Sequence, residues 1–293
     1  MVLCKGTTRA WCETVLTLPS TCLPAQLLQN SIIDNSFPQV TSVVYHEPII
    51  GHGSFISGGV TGLVDLLDDG TVLKFPWPGI DEEYCRKCLC NESTIYTTLG
   101  SHDRLVRMIE YSNRGLRLQY MSNGNLKDYL GRNPDVSLSQ KTRWASQAAE
   151  AVQLLHSHKL IHCDVKPSNF LVDRDLNLRI IDFAFSVSMD SSSWSCESPR
   201  FYLPRSQNGC ASVASDIFAL GCTIYQIMTG KIPLEGVASD EVERLYNMAN
   251  FQDLVGVPYE ALIRRCFLCQ IHSAQEVHDW LQMFDPWGSR KII

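Results

Sequence analysis

The 293-residue chain has no run of 18 consecutive apolar residues, the length a helix needs to cross a bilayer, so no membrane span is expected. Its first residues, M-V-L-C-K-G-T-T-R-A-W-C, lack the apolar core of a secretory leader. A basic excess is absent too. Against 25 Lys and Arg stand 31 Asp and Glu, a formal net charge of −6, which argues against nucleic-acid partners. No repeat or low-complexity tail is found. The 12 cysteines form no spaced framework, so reduced thiols in an intracellular, cytoplasmic compartment are expected. Cys85, Cys88 and Cys90 share one helical pattern with no matched second pair, and they read as core or surface cysteines rather than a zinc site. What the chain does have is 45% hydrophobic and 19% charged residues, the balance of a globular protein with a sizeable core.

The most informative stretch is 160–184. Two short β-type runs, Phe170 to Val172 and Leu178 to Ile181, flank a polar turn containing Asp173, Asp175 and Asn177. Asp164, Lys166 and Asn169 precede the first arm, and Asp182 follows the second. A hairpin here would bring two carboxylates, an ammonium and an amide to one end of a small sheet. That set suits a Mg²⁺-bound phosphate: hard oxygen ligands for the metal, a cation for the transferring group and a spare carboxylate for a hydroxyl proton.

His162-Cys163-Asp164, with Asn169 five residues beyond the Asp, and then Asp182-Phe183-Ala184 resemble the H-R-D…N and D-F-G signatures of the eukaryotic protein kinase family. The run from Asn91 to Arg107 looks especially like fungal members. The resemblance implies an α+β, two-lobed fold, with a small β-rich N-lobe carrying one key helix (43–120) and a larger, mainly helical C-lobe that begins at the hinge (121–293). Residues 1–42, broken by Pro19, Pro24 and Pro38, match no element and read as a poorly specified extension. ATP and Mg²⁺ are the implied cofactors and protein substrates the implied partners; oligomeric state stays open. Asp164 would orient the acceptor hydroxyl and take its proton. Lys166 would neutralise charge on the γ-phosphate, and Asn169 and Asp182 would hold the metal. A lysine two residues after Asp164 resembles the Ser/Thr class.

Upstream, Ile49 to Ser57 resembles the start of the glycine-rich loop, with Ile50, Gly51 and Gly53 as candidate nucleotide contacts and Ile56 at the third glycine position. Gly58, Gly59 and Gly62 leave the register of the next strand open. Asp68-Asp69-Gly70 reads as a hairpin turn into the strand Thr71 to Phe75, whose Lys74 would hold the α- and β-phosphates. In 82–99 apolar residues recur at helical spacing, and Glu92 falls inside the stripe. A buried carboxylate is costly unless a cation meets it, so Glu92 is expected to pair with Lys74. Leu118 would be the gatekeeper, Gln119 to Met121 the adenine-binding hinge, and Asp128 a ribose ligand. A helix is expected over Ser139–His158, with His156 and His158 as cap and surface residues. The stretch 186–198 reads as an activation segment and 199–205 as the segment ending in A-P-E. The apolar helix opened by Ser215-Asp216 runs to Met228 and suits the core, with two or three amphipathic helices after it.

Four departures stand out: Ile56 for the third loop glycine, Cys163 for the H-R-D arginine, Ala184 for the D-F-G glycine and Arg205 for the A-P-E glutamate. The usual arginine partner of that glutamate is missing near Ile271-His272, so loss of both ends is expected to leave no orphaned charge. None of the four removes a group assigned to metal or phosphate. The rival readings are a pseudokinase that binds nucleotide or acts as a scaffold, and a small-molecule kinase on the same fold.

Overall fold

In a computed structural model the described residues are 52–79, 81–191, 197–205, 209–284 and 286–289. The extension 1–42 and the candidate contacts Ile50 and Gly51 lie outside them. Short apolar runs joined by tight turns build a five-stranded antiparallel sheet from β1 (Ser54–Gly59), β2 (Gly62–Leu66), β3 (Thr71–Phe75), β4 (Met108–Ser112) and β5 (Gly115–Gln119), in the order β1-β2-β3-β5-β4. The β2–β3 turn is fixed by Asp69, which accepts from the Thr71 amide at 3.0 Å and its hydroxyl at 2.6 Å. Helix α1 (Glu82–Leu99) packs on β3 and β5. Glu82 and Glu83 favour its N-terminus and make i,i+4 pairs with Arg86 and Lys87.

The second lobe is mainly helical: α2 (Leu126–Arg132), α3 (Leu138–Ser157), α4 (Val213–Thr229), α5 (Ser239–Asn247), α6 (Glu260–Phe267) and α7 (Ala274–Met283). Helix α4 is buried on every side from Ser215 to Met228, which is why its sequence carries no polar stripe. A Ser212/Ser215 capping box starts it and Gly230, at φ 76°, ends it. At Gly221 the helix meets α6 so closely that a Cβ would lie 2.6 Å from the Cys266 Cβ. Two small ladders stand apart from the main sheet: β7 (Phe170–Val172) with β8 (Leu178–Ile180), as expected, and β6 (Leu160–Ile161) with β9 (Val187–Ser188), which has no sequence signature.

Candidate active site

The β7–β8 hairpin does what its sequence suggests. Asp173 accepts from the amides of Asn177 at 2.8 Å and Asp175 at 2.9 Å and so sets the turn. At the open end, the Ile181 amide donates to the Asn169 carbonyl at 3.0 Å and holds Asn169 beside Asp182. Asp164 lies just upstream and is largely buried. Its Oδ2 accepts from Lys166 Nζ at 2.6 Å and from Asn169 Nδ2 at 2.9 Å. Its Oδ1 is buried with no hydrogen-bond partner, an acceptor left for something else. Burial pushes the Asp164 carboxyl above its ordinary range, and the Lys166 charge only partly opposes this. The Asn169 amide nitrogen is spent on Asp164, which leaves its oxygen as the atom suited to a hard cation.

This loop is hung from α4. Asp216 accepts from the His162 amide at 2.8 Å and the Cys163 amide at 3.0 Å, which holds Cys163 at φ 67°. His156, expected at the surface, instead faces Asp216 at 3.0 Å, so α3 ends in the same anchor. The helix pattern could not reveal this contact, because Asp216 lies sixty residues away in sequence. His158 is the exposed cap that was expected.

Lys74, in the middle of the sheet, meets Glu92 from α1 at 2.7 Å and Asp182 at 2.6 Å. Glu92 is 1% exposed, so the expected pairing of the buried carboxylate holds. Burial works against the Lys74 charge, and the two carboxylates outweigh it and raise its pKa. Burial likewise lifts Asp182, and Lys74 overcomes this, holding the carboxyl below its ordinary range. Phe183 is fully buried, edge-on to Tyr96 at 4.9 Å and His162 at 5.5 Å. Left-handed backbone falls at Asp182 (φ 70°) and not at Ala184, so alanine is accommodated in place of glycine. The carbonyls of Phe183, Ala184 and Ser186 all lie within 3.3 Å of the Asn91 side-chain nitrogen, a second tie between α1 and this segment.

The glycine-rich turn is elsewhere than expected. Gly53 lies just before β1, away from the cleft. Its amide donates to the buried Asp65 at 3.1 Å, and a Cβ would lie 2.1 Å from the Leu66 carbonyl. Its glycine serves close backbone approach. The hairpin over the cleft is instead Ser57 to Gly62, and Gly59, Gly62 and Val64 fill the last positions of G-x-G-x-x-G-x-V. The signal was present in G-V-T-G-L-V and went unused because Gly51 and Gly53 competed for it. With this register Ile56 no longer occupies a glycine position. A Cβ at Gly62 would fall 2.2 Å from the Phe75 carbonyl. Trp77, which sequence reasoning missed, donates from its indole to the Gly59 carbonyl at 2.7 Å and props the hairpin.

Lys74, Glu92, Asp164, Lys166, Asn169, Asp182, Gln119, Met121 and Asp128 all line one cleft of about 1280 Å³ between the lobes. Leu118 lines it too, and Asp128 is tied to Asn125 at 2.8 Å in the first turn of α2. Arg205, at the A-P-E glutamate position, forms a buried ion pair with Glu197, in keeping with the expectation that no charge is orphaned there.

A β-rich lobe and a helical lobe enclosing a cleft, with the Lys74–Glu92 pair, Asp164, Asn169 and Asp182 on its walls, define the two-lobed fold of the protein kinases. The family model described as "Protein kinase domain" matches residues 48–275, and the chain belongs to this family. It is 27% identical over 206 residues to the SNF1-like protein kinase ssp2 of Schizosaccharomyces pombe, covering 66% of this chain and 33% of that protein. To the carbon catabolite-derepressing protein kinase of Saccharomyces cerevisiae it is 29% identical over 204 residues, covering 66% and 30%. To chicken (Gallus gallus) serine/threonine-protein kinase SIK2 it is 29% identical over 185 residues, covering 57% and 22%. The chain thus spans about a third or less of the length of these relatives. Among the described residues no helix is long and apolar enough to cross a membrane.

Proposed function

We propose that the chain is an ATP-dependent protein kinase that phosphorylates Ser and Thr hydroxyls. The observation that carries this reading is the partnerless Oδ1 of Asp164, buried in the cleft that also holds the Lys74–Glu92 pair. A substrate hydroxyl can donate to that oxygen, and a carboxyl with a raised pKa is the better proton acceptor once ionised. Lys166, bound to the other oxygen at 2.6 Å, holds the carboxylate in place and supplies charge toward the transferring phosphate. Lys74, fixed from two sides, would position the α- and β-phosphates under the Gly59–Gly62 hairpin. Asn169 and Asp182 would hold Mg²⁺, which neutralises phosphate charge when bound. Lys166 also donates to Ser198 at 3.1 Å, which carries the site to residues 199–204, the stretch resembling the family's peptide-binding segment. That continuity favours a protein over a small-molecule acceptor, and the named Ser/Thr kinases among the relatives favour hydroxyl side chains.

The experiment is transfer from labelled ATP with Mg²⁺ to a mixed Ser/Thr peptide, with Asp182→Asn beside the wild type. Transfer that disappears in the variant supports the reading. Nucleotide binding without any transfer would favour a pseudokinase.

A further inference from the structure

Two departures from the kinase pattern, Cys163 and Arg205, belong to one region of the molecule. Cys163 is fully buried in an apolar cluster with Ile161 and Ala211. Burial and the carboxylates of Asp216 and Glu197 hold its thiol protonated, so this position offers no cation to a phosphorylated loop. The nearby cation comes from the segment itself. Arg205 Nη2 meets Glu197 Oε2, with the two side chains 12% and 1% exposed, and the Arg205 guanidinium lies 4.8 Å over the Tyr202 ring. A carboxylate so buried requires a charged partner, and one placed eight residues on closes the intervening chain into a loop. Within that loop Ser198 accepts from Lys166 at 3.1 Å, the Phe201 amide returns to the Ser198 carbonyl at 2.8 Å, and the Arg200 carbonyl accepts from Tyr246 of α5 at 3.2 Å.

The geometry points to the Glu197–Arg205 pair as a clasp that holds the peptide-binding stretch against Lys166 without phosphorylation of the activation segment. A fixed carboxylate and its own arginine do the work that a phosphate and the H-R-D arginine do elsewhere. Glu197 and Arg205 are positioning residues, and they act on Lys166 through Ser198. The inference rests on the kinase reading above.

The test uses the full chain treated with phosphatase, its unphosphorylated state checked by mass spectrometry, beside Glu197→Gln, Arg205→Met, Arg205→Lys and the double Glu197→Gln/Arg205→Met. The dephosphorylated wild type is expected to keep its activity. Each charge-removing single variant should raise the peptide KM about tenfold or more while the ATP KM stays within about twofold, and Arg205→Lys should recover part of the loss. The double variant leaves no orphaned buried charge, and it should still show the raised peptide KM. Loss of activity on phosphatase treatment of a wild type that is active before it would overturn the clasp. So would an unchanged peptide KM in the single variants, or full recovery in the double. Amide hydrogen exchange of 198–204 is read on the same proteins. If wild type transfers no phosphate, the kinase reading fails separately, and the clasp then stands or falls on whether Glu197→Gln removes protection from this stretch.

Discussion

Replacing Glu92 by Ala leaves Lys74 in a site where it is only 12% exposed, facing Asp182 alone. Removing one partner of a buried ion pair costs about 3–5 kcal/mol, because the survivor keeps its desolvation without its counter-charge. Asp182 offsets part of this, but at 33% exposure its attraction is partly screened by solvent. The net cost should therefore be somewhat smaller, about 2–4 kcal/mol. At about 2–4 °C per kcal/mol for a domain of this size, Tm should fall by roughly 4–16 °C. The companion variant, Lys74→Met/Glu92→Leu, removes both charges and fills similar volume, so its stability should return to near wild type. Both variants should lose phosphate transfer, by about 100-fold or more, because the phosphates lose their positioning group. Thermal denaturation and labelled-ATP transfer on the same samples measure the two effects. A double variant as unstable as Glu92→Ala, or a single variant within about 0.5 kcal/mol of wild type, would refute the reasoning that an uncompensated lysine sets the cost.

Gly62→Ala would drive a Cβ to 2.2 Å from the Phe75 carbonyl, so it should lower both Tm and nucleotide affinity, whereas Gly59→Ala, with no atom within 4 Å, should keep its Tm and weaken only ATP binding measured by titration. Trp77→Phe removes the 2.7 Å bond to the Gly59 carbonyl, and the ATP KM should rise about three- to tenfold with kcat little changed. Gly221→Ala places a methyl 2.6 Å from the Cys266 Cβ, an overpacking worth about 1–3 kcal/mol in a urea melt. Burial raises the Asp173 carboxyl, but the bonds from Asn177 and Asp175 outweigh this and leave its pKa below the ordinary value, so it stabilises the fold above the unfolded-state pKa and that contribution disappears as pH falls through the folded-state value. Asp173→Ala should therefore be about 1–3 kcal/mol less stable at pH 7, and denaturant curves should show the gap closing as the pH falls below the ordinary carboxylate range.

The polar groups of the site were legible because chemistry restricts them tightly in spacing. Asp164, Lys166, Asn169 and Asp182 flank the two ends of one short hairpin, so local sequence fixes their neighbourhood. The Lys74–Glu92 pair was legible for a different reason: a carboxylate within a buried helical stripe demands a cation. Helices α1, α3 and α4 follow from periodicity or from its absence in a fully buried element. The parts that failed depend on long-range or irregular backbone. Gly53 and Gly62 look alike in sequence, and only the strand pairing separates a glycine pressed against Leu66 from one turning over the cleft. The β6–β9 ladder has two residues in each strand, too few for an alternation to register. His156 and Trp77 reach distant backbone or side chain, which local sequence does not show. Glu197 escaped notice because it lies in a serine-rich stretch with no apolar period, so its pair with Arg205 was not foreseen.

The central claim is that one cleft both binds Mg²⁺–ATP and transfers its phosphate, with Asp164 as the proton acceptor. The direct measurement pairs ATP binding by calorimetry with single-turnover transfer for wild type, Asp164→Asn and Asp182→Asn. The account predicts binding and transfer for the wild type, binding near wild type with transfer lowered by about 100-fold or more for Asp164→Asn, and loss of Mg²⁺-dependent binding for Asp182→Asn. Transfer by Asp164→Asn at the wild-type rate, or Mg²⁺–ATP binding by Asp182→Asn as tight as wild type, would contradict it.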